Sequence, residues 1–149
     1  MRLRNLWFPI ILLALAGCGG GDDVKLEKGP FLFVDRDSLG FDQEFGSGTY
    51  IGTSPLNALY VSNRGDQPLE ISEVVNAMPA EFTLQLPDAL AQGQTLTLQS
   101  REVATFQVQF KPTKEQVYSG KFTLRSTALN TPQKDISVSG KGVKPPPSP

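Results

Sequence analysis

Between Phe31 and Val143 apolar and polar residues alternate with a period of two, and clusters of turn-forming residues cut the alternation into short runs. Phe106, Val108 and Phe110 alternate with Gln107, Gln109 and Lys111; Phe122 and Leu124 with Lys121, Thr123 and Arg125; Ile136 and Val138 with Ser137 and Ser139. Earlier runs place Leu59 and Val61 against Tyr60 and Ser62, and Leu69 and Ile71 against Glu70 and Ser72. Phe82, Leu84 and Leu86 form another such run, and Leu96 with Leu98 a shorter one. Successive strand side chains point to opposite faces, so each run predicts a strand with one buried and one wet face. The expected turns are Asn63-Arg-Gly-Asp66, Gln92-Gly-Gln94, Lys111-Pro-Thr-Lys114, Ser119-Gly120 and Asn130-Thr-Pro132. No stretch after residue 17 keeps a helical period. An all-β chain of about seven to nine short strands must close on itself as a sandwich or barrel.

The first eighteen residues follow another pattern. Met1-Arg-Leu-Arg4 is positively charged, and Leu6 to Leu15 is apolar. A run of about ten apolar residues suits an export signal and is too short for a membrane span, which needs about twenty. Leu15-Ala16-Gly17-Cys18 follows, and it resembles the lipobox of bacterial lipoproteins. The resemblance implies that a signal peptidase recognises Leu15, Ala16 and Gly17 and cleaves before Cys18. It also implies that the Cys18 thiol takes a diacylglyceryl group and that the new amino terminus is acylated. Two or three acyl chains hold a protein to a bilayer where one does so only marginally. Membrane lipid, through Cys18, is thus the first expected partner. Gly19 stands where Asp would favour inner-membrane retention in enterobacterial lipoproteins, so the expected place is the cell envelope at the outer membrane, in the periplasmic leaflet or at the cell surface. Residues 18–30 read as a glycine-rich, charged tether with a typical reach of about 20 Å. Residues 144–149 read as a disordered proline tail, which leaves 31–143 for the sandwich.

Composition narrows the chemistry. The chain has no histidine and one cysteine, which excludes Ser-His-Asp and Cys-His catalysis, histidine-ligated zinc and an intrachain disulfide. An exported domain without disulfides relies on its packed core, and 39% hydrophobic residues with nine Phe and three Tyr can supply one. Losing Arg2 and Arg4 with the signal turns 14 basic residues into 12 against 15 acidic ones, a net charge of −3. That balance carries no footprint of a nucleic-acid binder, and no cofactor is expected. Trp7 also leaves with the signal, so the mature domain lacks the tryptophan platform common in sugar-binding modules.

Val61-Ser-Asn63-Arg-Gly65-Asp-Gln-Pro68-Leu69-Glu-Ile71 resembles the strand–turn–strand of the ASH/Hydin-like immunoglobulin domains, called choice-of-anchor D domains in bacteria. Ile51-Gly-Thr-Ser54, Phe106-x-Val-x-Phe110-x-Pro112, Tyr118-Ser-Gly120 and Val138-x-Gly140-x-Gly142 continue the likeness over residues 39–143. It implies an immunoglobulin-like sandwich related to PapD-like and major-sperm-protein domains, and an interaction or scaffold role. Asn63 and Gly65 are expected to form a tight turn with positive φ, and Pro68 to open the return strand. Asp42 to Gly48 departs from the pattern and reads as an inserted loop.

Four constellations carry residue types that could do chemistry. Arg64-Gly65-Asp66 spells an integrin tripeptide but lies inside the turn that the fold requires. Asp35, Asp37 and Asp42 with Gly40 have part of the spacing of a calcium loop but lack its fifth and twelfth ligands, so a solvated loop is expected. Glu70 and Glu73 do not make the facing pair that a glycosidase needs. Tyr60 should point away from the core and is equally a candidate contact residue and a candidate for cross-strand cover. The expectation is a non-enzymatic, membrane-anchored module that binds an envelope protein, with capture of polysaccharide or calcium at the surface as the alternative.

Overall fold

The computed structural model describes residues 25–42 and 48–147. The signal segment, Leu15, Ala16, Gly17, Cys18 and the first part of the tether lie outside the described residues, as do residues 43–47 of the expected insertion. Ten strands form two sheets. One sheet contains β1 (Leu32–Val34), β4 (Leu56–Asn63), β8 (Val103–Phe110) and β6 (Phe82–Gln85), in that order. The other contains β2 (Ser38–Gly40), β10 (Gln133–Val143), β9 (Val117–Ser126), β5 (Leu69–Ala77) and β7 (Leu96–Leu98), with β3 (Thr49–Tyr50) also pairing with β10. The strand count exceeds the expected seven to nine because short edge pieces with no alternation of their own join at both margins. A one-turn helix, α1 (Asp88–Ala91), was not expected; it buries Leu90 on the core.

The alternation maps onto burial as a sandwich requires. Leu59, Val61, Phe106, Val108 and Phe110 of one sheet face Leu69, Ile71, Phe122, Leu124, Ile136 and Val138 of the other. Phe110 stacks on Phe82 at 4.6 Å and meets Phe41 and Tyr118 at tilted or edge angles, 5.4 and 5.6 Å between ring centres. Gly140 makes room for this cluster, since a Cβ there would lie 2.5 Å from the Phe110 ring. The Tyr118 hydroxyl, at the start of β9, accepts the Lys114 N–H at 3.0 Å and so ties the preceding turn to the core.

Three local expectations are corrected. Ser119-Gly120 is not a turn but mid-strand in β9; its glycine is needed because a Cβ would lie 2.8 Å from Met78 and Pro79 of the chain crossing over it. Asn63-x-Gly65 does turn the chain, but neither residue has positive φ. Gly65 is there because the chain approaches so closely that a Cβ would overlap the Gly29 carbonyl oxygen. Finally, the tether ends earlier than expected. Glu27 bridges Gly65 in parallel, its N–H bonding Arg64 O and its carbonyl accepting Asp66 N–H, while Gly29 N–H donates to the Asp66 carboxylate at 2.6 Å. Residues 27–31 are a strap fastened across the turn.

Candidate interaction surface

No residue of β1, β4, β6 or β8 is charged, in a chain whose overall charged content is 19%. The buried half of each strand explains half of that absence; the outward half needs another reason. Pairing brings the outward residues into cross-strand rows. Tyr60 lies beside Thr105, Ala58 beside Gln107, and Leu56 beside Gln109, with Thr83 and Gln85 beyond them. Phe33, Ser62 and Val103 make the row at the other end. Tyr60, Leu56 and Val103 are about half exposed, at 48%, 53% and 56%. The strand residues of this face are neutral: amides, hydroxyls and three large apolar side chains, with the Arg64 guanidinium over the Phe33 ring at one end.

The opposite sheet presents a different surface. On β9, β10 and β5 the outward residues include Lys121, Arg125, Asp135, Lys141, Glu70 and Glu73. Lys121 meets Asp135 at 2.6 Å and Arg125 meets Glu73 at 3.1 Å. The bond from Lys121 Nζ, followed by one from the Thr123 hydroxyl at 2.6 Å, holds the Asp135 carboxyl below its ordinary range. At the strand ends Lys144 pairs with Glu115 at 2.7 Å, lowering the pKa of the acid and raising that of the base. Ion pairs run across this face. The neutral face has no such network.

The residues singled out in the sequence fall into separate places. Tyr60 stands on the neutral face; its backbone N–H donates to the Asp35 carboxylate at 2.9 Å and its carbonyl accepts the Asp35 N–H. Asn63 is fully buried beneath the strap. Its side-chain oxygen accepts Gly65 N–H at 2.9 Å and Phe31 N–H at 3.3 Å, and its amide donates to Gln67 O at 2.7 Å and Leu98 O at 3.0 Å. Pro68 precedes β5, and its chain leads directly into Leu69. Asp35, Asp37 and Asp42 are not brought together. Asp35 holds Tyr60 N–H and Arg36, Asp37 pairs with Lys134 at 2.8 Å, and Asp42 accepts Lys141 N–H at 2.6 Å. Among the described residues no three carboxylates gather around a common point. Arg64 lies over the Phe33 ring at 3.1 Å and Asp66 grips the strap, so the Arg64-Gly65-Asp66 side chains serve the fold. Tyr50 is half buried and Tyr118 is in the core.

No protein-family model matches the sequence, and no curated protein matches it either. Solved structures do match. The ASH/PapD-like domain 7 of human CEP192 superposes with a TM-score of 0.57 at 12% identity, over 98% of this chain and 99% of that domain. By fold, this is an ASH/PapD-like β-sandwich. A protein of unknown function from Porphyromonas gingivalis W83 gives 0.58 at 13% identity over 76% of this chain, which spans 47% of that protein. The secreted serine protease VesC of Vibrio cholerae gives 0.51 at 12% identity, with 80% of this chain matching 24% of the protease. At these identities the ASH/PapD-like likeness is one of architecture. The neutral face was missed in the sequence because absence of charge is visible strand by strand, whereas which strands share a sheet is set by long-range pairing.

Proposed function

We propose that this ASH/PapD-like sandwich is a non-enzymatic interaction module of the bacterial cell envelope, held to the outer membrane through acylated Cys18, and that it docks a partner protein on its neutral four-stranded face. The observation that carries the reading is the confinement of strand charges to the other sheet. An exposed sheet face ordinarily carries Lys or Glu, which keep it soluble and discourage edge pairing. Interface cores, by contrast, are depleted of charge and enriched in Tyr and other aromatics. Tyr60, flanked by Leu56 and Val103, has the size and exposure of an anchoring residue, and the surrounding glutamines and threonines can supply hydrogen bonds at a rim. The lack of histidine and of a free thiol in the lipidated chain supports a binding role over a catalytic one.

Site-specific photocrosslinking in living cells tests the proposal. A photoreactive residue at Tyr60 or Gln107 should yield a discrete protein adduct, while the same probe at Lys121 or Ser137 on the charged sheet should yield none. Adducts from the charged sheet alone, or no adduct from Tyr60 and Gln107, would overturn it.

A further inference from the structure

The strap that carries the chain toward Cys18 leaves the sandwich beside the loop between β9 and β10. Leu129 N–H donates to the Pro30 carbonyl at 3.0 Å, and the Leu129 side chain lies against Gly29 so closely that a Cβ there would be 2.5 Å from it. Lys25, Leu26, Lys28 and Phe31 line an open groove with this leucine. Leu129 is 72% exposed, the most exposed large apolar side chain among the described residues. A leucine this exposed costs solubility, yet its place beside Gly29 is held by a backbone hydrogen bond.

Six residues lie between Cys18 and Lys25, which makes seven steps along the chain. Whatever path they take, they span at most about 25 Å, at about 3.5 Å per residue. The far end of β9, where Val117 is 70% exposed, lies nine residues along the strand from Ser126. At about 3.3 Å per residue that is roughly 30 Å farther from the tether exit.

From this placement we propose that the sandwich stands end-on on the bilayer that holds Cys18, with Leu129 seated among the lipid head groups and Lys25 and Lys28 beside it. The inference rests on the acylation of Cys18 proposed above. One leucine and two lysines would bind a free domain to lipid only weakly, but the tether makes the encounter intramolecular at high effective concentration. Lysine stems can lie along the interface while their ammonium groups reach phosphate. Glu27 and Asp66 at the same end offset the lysine charge, so the contact depends on Leu129 more than on anionic lipid. End-on seating also leaves the neutral face upright and open to a partner along its full height.

The chain supplies a clean reporter, because its sole tryptophan, Trp7, leaves with the signal. The full chain is produced in cells as L129W and, separately, as V117W, each reconstituted into phosphatidylethanolamine–phosphatidylglycerol vesicles containing brominated phosphatidylcholine. Intact mass of each product reports Cys18 acylation and loss of Trp7 independently of seating, and thermal melting confirms that each variant is folded. Emission from L129W should shift to the blue and be quenched by the brominated lipid, while emission from V117W should keep its wavelength and intensity. Quenching that is absent in L129W, equal in the two, or stronger in V117W would overturn end-on seating while leaving the anchor intact. A mass without acyl groups would remove the anchor reading and this one with it.

Discussion

Asn63 shows how a residue first noticed as a turn former can serve as a structural joint. Its side chain satisfies two donors and two acceptors, drawn from the strap, its own turn and β7, in a site with no access to water. Truncating it leaves buried backbone groups unpaired, each costing about 1–3 kcal/mol. Asn63→Ala should therefore destabilise the fold by about 3 kcal/mol, read as a fall in the urea midpoint with an unchanged slope. Asn63→Asp should fare little better, because a carboxylate cannot donate to Gln67 and Leu98. Gly65 was legible as a special position, but for another reason than the one that applies. Its role is to let two chain segments touch, and nothing local to residues 63–66 announces a strap whose Gly29 lies 36 positions upstream of Gly65.

At the scale of elements, the period-two runs marked the central parts of β4, β8, β9 and β10, because burial of one face writes itself directly into the alternation, but not their ends, and Ser119-Gly120, expected as a turn, lies inside β9. The short pieces β1, β2 and β3 were less legible, whereas β7 matches the expected Leu96–Leu98 run. Those three hold two or three residues each, and their place depends on a neighbouring strand more than on their own pattern. Pairing also decides where electrostatics matter. Asp135 on β10 is stabilised as a carboxylate by Lys121 and Thr123 on β9, so its folded pKa lies below the unfolded one. Its contribution to stability is complete above the ordinary carboxylate range and is lost as pH falls through the lowered folded value. Asp135→Asn should therefore melt slightly below the parent at neutral pH, and the two melting temperatures should converge in acid. The gap is expected to be small because both partners are exposed. A gap that stays constant down to strongly acidic pH would mean that the pair contributes packing and no charge.

For the whole molecule, the core of the described residues begins at Leu32, so the sandwich is expected to fold without the anchor proposed at Cys18. Cys18→Ala should move the protein from the membrane fraction to the soluble one while preserving its melting temperature; loss of the fold in that variant would mean that the domain boundary lies elsewhere. The sheet order has one further consequence, in time. β10, the C-terminal strand, is not an edge: it lies between β9 and the parallel strands β2 and β3, and pairs Ser137 with Ser38 across 99 positions. Its Ile136 and Val138 fill the centre of the core. A chain that emerges from an export channel amino terminus first therefore cannot close its larger sheet until residues 133–143 have come through, and contacts this distant in sequence form slowly. If the chain is exported unfolded, as the proposed signal implies, completion of the larger sheet waits on its last strand, because β10 joins β2 and β3 to the rest of that sheet.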